Sequence, residues 1–164
     1  QEPDMIQKLQ DEDALPTQLY LSTNAADYES FLKINKPKYD DSWERWNRTL
    51  DMLKNLDTRT VLRITLIRDY NDQKEMIPAF ADMFRKASPH FIEIKSYMHI
   101  GRSTNRLEHE NMLEMHEVKK FSEQIAKQSK IFSVMDESLV SRISILQNNE
   151  RFIDRYIPTY ANTN

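Results

Sequence analysis

No cysteine occurs among the 164 residues. A disulfide, a thiolate nucleophile, a zinc–thiolate site and a cysteine-ligated iron–sulfur cluster are therefore excluded within this polypeptide. Glycine is nearly as scarce, with a single residue where average usage of ~7% would give about eleven. Phosphate loops of the GxGxxG and GxxxxGKS types need several glycines for tight turns and close backbone approach, so both are missing. No apolar run approaches the ~18 residues of a membrane span. The opening QEPDMIQKLQ lacks the basic-then-apolar plan of a signal peptide, and a cytoplasmic location with no membrane partner is expected. An excess of positive charge is absent too: 23 Lys plus Arg face 26 Asp plus Glu, for a net charge of −3. Global attraction to nucleic acid is excluded, and only a local basic face could provide it. What is present is a charged fraction of 30% and an aromatic fraction of 10%, the make-up of a chain that folds around one sizeable core.

Hydrophobic period orders the elements. Pro3 to Gln10 reads as a short helix, and Thr17 to Thr23 alternates as a strand. Asp27 to Ile34 is a weaker helix ended by Lys36-Pro37. Asp40 to Leu56 is a helix with Trp43, Trp46, Leu50 and Leu53 on one face and Asp41 or Ser42 as its cap. Thr60 to Arg68 is a β-branched strand, and Met76 to Ala87 a helix that tolerates Pro78 only in its first turn. Phe91 to Met98 is a third strand, and His116 to Lys127 a helix striped by Val118, Phe121 and Ile125. Lys130 to Met135 and Leu139 to Leu146 form a terminal hairpin around the turn-length DES. Three strands alternating with helices predict an α/β fold with a parallel sheet.

Each of the three strands has one apolar and one polar side. Leu62, Ile64 and Leu66 oppose Arg63 and Thr65, while Ile92 and Ile94 oppose Glu93, Lys95 and Tyr97. Leu19 and Leu21 oppose Gln18, Tyr20 and Ser22. Parallel strands covered on both faces read as continuous apolar runs, and these do not. The polar side either meets water as one face of an open sheet or lines a polar site inside a barrel or part-barrel, near the carboxyl ends of the strands.

Five blocks, LPTQLYLSTNA (15–25), DSWERWNRTLDML (41–53), TRTVLRITLIRD (58–69), HFIEIKSYMHIGRSTNRL (90–107) and ENMLEMHEV (110–118), resemble the archaeal tRNA 4-demethylwyosine synthase family in order and spacing, up to about residue 147. The resemblance implies a radical S-adenosylmethionine lyase. In that reaction two carbons of pyruvate are condensed onto N1-methylguanosine beside the anticodon of tRNA-Phe, with a 4Fe-4S cluster cleaving the cofactor. It also implies the second half of a partial (β/α)6 TIM-like barrel, strands four to six, over residues 1–147, with a carboxyl-terminal β extension and a tail (148–164) outside the resemblance. The family's cluster cysteines would precede this chain, so no metal ligand is carried over. A truncated gene is the expected explanation, with a split enzyme or a degenerate relative as the others. The chain alone should then be inactive and need the missing amino-terminal half, and the edges of strands four and six should lie open and favour self-association. The alternative reading is a non-catalytic module that binds tRNA or another partner.

On that resemblance, Ser22 and Asn24, at the end of the fourth barrel strand, would contact the cofactor, unless Asn24 serves as a cap or turn residue. Arg63 and Thr65 would follow on the fifth strand, Arg63 holding the cofactor's carboxylate or pairing with Glu93. Lys95 is the catalytic candidate, an amine able to form a Schiff base with pyruvate when desolvated, with an ion pair, or an essential lysine upstream, as the competing assignment. Arg102, Ser103, Asn105 and Arg106 after the sixth strand would meet tRNA, or form a solvated basic loop. Lys36, with Lys33 and Lys38 beside Tyr39 and Trp43, is a second basic cluster. His90, His99, His109 and His116 lack the two-His helical spacing of a metal site.

Overall fold

Alternation of short β-branched runs with amphipathic helices produces a mixed five-stranded sheet backed by helices. The computed structural model describes residues 2–157. Its elements are α1 (Pro3–Asp11), β1 (Gln18–Ser22), α2 (Tyr28–Asn35), α3 (Ser42–Met52), β2 (Arg59–Leu66), α4 (Ile77–Ala87), β3 (Phe91–Ser96), α5 (Met115–Ser129), β4 (Phe132–Ser138) and β5 (Ile143–Asn148). The strand order is β1-β2-β3-β5-β4. As the alternation predicts, β1, β2 and β3 run parallel. The terminal hairpin then adds to β3 antiparallel through β5.

Three local expectations are corrected. The hairpin turn is Leu139 to Arg142, whereas Asp136, Glu137 and Ser138 belong to β4; a bulge between Val134 and Asp136 breaks the alternation that would have shown this. Asp41 supplies no side-chain cap to α3, because its carboxylate accepts from Arg45 Nε at 2.8 Å. The edge of β3, expected to be open, is not: β5 occupies it, leaving β1 and β4 as the edges of the described sheet. Pro78 does sit in the first turn of α4, where a missing N–H costs nothing.

The apolar side of the sheet forms the core. Leu62, Ile64, Leu66, Ile92 and Ile94 are fully buried against Trp46, Leu50 and Leu53 of the α3 region, Phe80 and Phe84 of α4, and Val118 and Ile125 of α5. Phe80 stacks on Phe84 and meets Phe121 edge-on. Each such side chain contributes roughly 1.5–3 kcal/mol by leaving water, so this layer fixes which face of the sheet is left for chemistry.

Glycine scarcity shows in the turns. Gly101 has φ +63° with open space where a Cβ would stand. Asp13, Lys36, Asp69, Ser88, Lys130 and Arg142 also adopt positive φ, and Lys36, Ser88 and Lys130 cap α2, α4 and α5 in the left-handed conformation that glycine ordinarily takes.

Candidate functional site

The face of the sheet opposite the helices is built in rungs set by the strand register. Tyr20, Val61, Phe91 and Gln147 lie side by side, then Ser22, Arg63, Glu93 and Ile145, then Thr65, Lys95 and Ile143. A further pair, Gln18 and Arg59, precedes them at the amino-terminal end of the same face.

At the amino-terminal end, residues 149–157 cross this face as a strap. Arg59 donates to the carbonyls of Asp154 (2.6 Å), Arg155 (2.7 Å) and Tyr156 (3.0 Å), and lies over the Phe91 ring. Gln147 Nε2 donates to Ile153 O at 2.8 Å, and Arg155 pairs with Asp136. Val61 and Phe91 are consequently buried, and a cavity of about 120 Å³ remains between strap and sheet. Burial, with the nearby cations Arg151 and Arg59, lowers the His90 imidazole to about 4. It is therefore neutral at pH 7, and its Nδ1 accepts from Thr60 N at 3.0 Å.

The middle rung carries the ion pair that the sequence offered as one alternative for Arg63. Arg63 Nε donates to Glu93 Oε1 at 2.8 Å and Nη2 to Oε2 at 3.1 Å. Tyr20 lies 4.6 Å from the guanidinium. Glu93 is only 7% exposed, so its charge depends on that fork. Burial, then the Glu93 charge, pushes the Tyr20 phenol above its ordinary value. Nε and Nη2 are engaged by Glu93, and Nη1 lies outside that fork.

Asn71, which sequence reasoning missed, anchors the next level. It is fully buried: Oδ1 accepts from Ile67 N at 2.7 Å, while Nδ2 donates to Asn24 O and Thr65 O, both at 2.9 Å. Asn24 Oδ1 in turn accepts from Thr65 N at 3.1 Å. Asn24 and Thr65, expected as cofactor contacts, are thus joined through backbone and amide groups. Ser22 and Asn24 both line a cleft of about 300 Å³ with Phe31, Asn35, Tyr39 and Arg45. A lone asparagine in YND carries no spacing that would mark it in sequence.

Lys95 is half-buried, and among the described residues no carboxylate pairs with it. Among the described residues the expected ion pair is not formed. After β3 the chain turns at Gly101 into a single 3₁₀ segment, Gly101–Asn105. Arg102, Asn105 and Arg106 are exposed there, and Ser103 Oγ is tied to Ile100 O at 2.7 Å. Lys36 is exposed as the C-cap of α2, with Lys38 over the Tyr39 ring. The loop and the Lys36 cluster belong to different connections, after β3 and after α2. Trp43, a candidate for stacking, is instead partly buried edge-on against Tyr28 and Phe31.

No group of three or more His, Asp or Glu suited to a metal occurs among the described residues. No helix there is long and apolar enough to cross a membrane. The donor set does not fit an iron–sulfur cluster, which needs thiolates this chain lacks. The Ser22–Asn24 cleft, with hydroxyl, amide and aromatic walls beside the Glu2–Arg45 pair, offers groups able to hydrogen-bond a polar nucleoside.

Comparison with known proteins bears on what such a face serves. A family described as wyosine base formation matches residues 86–148. The chain is 36% identical over 148 residues to the S-adenosyl-L-methionine-dependent tRNA 4-demethylwyosine synthase of Pyrococcus abyssi, spanning 90% of this chain and 43% of that protein. It is 41% identical over 153 residues to the synthase of the same description from Methanocaldococcus jannaschii, spanning 92% and 45%. A solved structure of TYW1 with a lysine-pyruvate adduct bound superposes with a TM-score of 0.79 at 40% identity, again over 92% of this chain and 45% of that one. The chain thus spans less than half the length of these relatives. Similarity in sequence and in three-dimensional course covers the same nine-tenths of the chain, open-face rungs included, and places it in the tRNA 4-demethylwyosine synthase family as a counterpart of that family's carboxyl-terminal part.

Proposed function

We propose that the chain forms the carboxyl-terminal wall of a radical S-adenosylmethionine site that builds the wyosine ring on tRNA-Phe in the cytoplasm. The three parallel strands would be strands four to six of a partial (β/α)6 barrel, with the open face as its interior. The observation that carries this reading is the order along the open face: an end covered by the strap, then the Arg63–Glu93 rung, then Thr65, Lys95 and the basic loop at the uncovered carboxyl ends. Ligands of barrels and open α/β sheets are held at that end.

S-adenosylmethionine, when bound, would supply the radical chemistry. Ser22 and Asn24 would hold its neutral polar atoms in the cleft they line, and Arg63 would offer Nη1 to its carboxylate while Glu93 fixes the guanidinium plane. Thr65 keeps Asn24 in register. Lys95, which has no carboxylate partner among the described residues, would bind the carboxylate of pyruvate and orient the keto acid. Arg102, Ser103, Asn105, Arg106 and Lys36 would contact tRNA phosphates and unpaired bases. The 4Fe-4S cluster would reside on the amino-terminal part of the family that this chain does not match, and the chain alone would be inactive.

The test is complementation. Co-expression with the amino-terminal part of the Methanocaldococcus jannaschii relative should restore conversion of N1-methylguanosine in tRNA-Phe. Lys95→Ala should raise the KM for pyruvate about tenfold or more, whereas Ser22→Ala and Arg63→Ala should weaken S-adenosylmethionine binding. Conversion without any effect of these three substitutions would refute the assignment of the site. Borohydride trapping of pyruvate on Lys95 itself would replace the electrostatic role with a covalent one.

A further inference from the structure

The β4–β5 turn breaks a rule of hairpin construction. Tight turns are built from Asn, Asp and Gly, yet this one presents Leu139, 73% exposed, and Val140, 94% exposed. The tip is anchored at its last residue. Arg142 adopts φ 49°, donates to Leu113 O at 3.1 Å and pairs with Glu114 at 3.1 Å, while its carbonyl accepts from Ser96 N at 3.0 Å. Ser138 and Lys95 both register with Ile143, so the turn stands at the carboxyl end of β3. From that same end the chain runs into Ile100, 69% exposed, and then Arg102 and Arg106, whose guanidiniums are unpaired among the described residues. Glu137, beside the tip, is neutralised by Lys119 at 3.1 Å. A locally unfavourable choice held in place by surrounding structure marks a functional position.

We infer that Leu139 and Val140, with Ile100, form an apolar wedge that packs against unpaired bases of an RNA loop while Arg102 and Arg106 hold its phosphates. The inference rests on the RNA reading above and adds residues that reading does not use. Apolar side chains inserted between bases unstack them, and neighbouring guanidiniums supply the charge that brings the backbone close. An anchored hairpin at the rim of the open face would hold a target base out of its stack above Thr65 and Lys95.

The experiment uses the 164-residue chain, a labelled anticodon stem-loop RNA carrying 2-aminopurine in the loop, and a fully paired duplex of equal length. Wild type should bind the loop RNA more tightly than the duplex and raise the 2-aminopurine signal. The double variant Leu139→Ser, Val140→Ser should lose about tenfold in loop affinity and the fluorescence rise, with duplex binding unchanged. Val140→Phe should keep both. Arg102→Ala with Arg106→Ala should instead weaken both RNAs and reduce the salt slope by about 1 to 2. Equal loop binding and signal in the serine variant would overturn the wedge while leaving the RNA reading intact. Self-association of wild type that the serine variant abolishes would assign the tip to a second copy and overturn it as well. Binding of neither RNA by wild type would remove the RNA reading and the wedge together.

Discussion

Asn71 is the residue through which backbone and site are joined. Its amide accepts from the buried Ile67 N–H and donates to the part-buried carbonyls of Asn24 and Thr65. Asn71→Ala leaves one buried and two part-buried groups without this partner and should destabilise by about 1–3 kcal/mol. Urea unfolding should show the midpoint falling with the slope unchanged. A change under about 0.5 kcal/mol would mean that water replaces the amide. His90 gives a pH signature. Its imidazole is lowered to about 4 in the fold from the ordinary 6.5, so between those values the unfolded chain binds the extra proton. Its contribution is complete above about pH 6.5 and is lost as pH falls toward 4. Denaturation at pH 6.5 and 5.5, above most carboxylate titration, should show a stability drop in wild type that His90→Gln reduces. Of these two residues only His90 was visible in sequence as a candidate, and only as a ring without metal spacing. What places Asn71 is a convergence of three backbone groups from separate segments, and such long-range geometry leaves no trace in local pattern.

Among elements, the strap is the least anticipated. The resemblance ends near residue 147, yet residues 149–157 are fixed to the sheet by Arg59, Gln147 and Asn148. Asn148 both accepts from Glu150 N and Arg151 N and donates to Pro89 O, turning the chain back across the face. Truncation after Asn148 should uncover Val61 and Phe91. It should lower Tm by roughly 3–6 °C, on the scale of 2–4 °C per kcal/mol for a chain of this size, with new binding of an apolar dye. An unchanged Tm would show that the strap contributes nothing to stability. Strand and helix identities were legible because period 2 and period 3.6 are carried by local residues such as Leu62, Ile64 and Leu66, or Trp46, Leu50 and Leu53. The hairpin turn was misplaced because Asp-Glu-Ser has turn composition and Leu-Val does not, while the bulge at Val134 and Asp136 disguised the strand.

For the whole molecule, the sheet ends at β1 with one side unpaired among the described residues. The relatives it matches are more than twice its length, and the proposed barrel would place a further strand there. In the 164-residue chain, amides of Gln18–Ser22 should exchange with solvent about tenfold faster than those of β2 and β3, and co-expression with the amino-terminal part of the relative should slow them. Equal protection in the chain alone would place another copy on that edge. The α/β class and the parallel order were legible from element alternation. The closing of the β3 edge by β5 was not, since strand pairing between distant segments is decided by tertiary packing. Lastly, three helices end on Lys36, Ser88 and Lys130 in the left-handed region, each at a cost of ~1 kcal/mol relative to glycine. A sequence that keeps its single glycine for the turn after β3 leaves these helix ends short of their optimum. It therefore retains, in ordinary surface turns, a reserve from which single substitutions could offset the destabilisation that new specificity on the open face would bring.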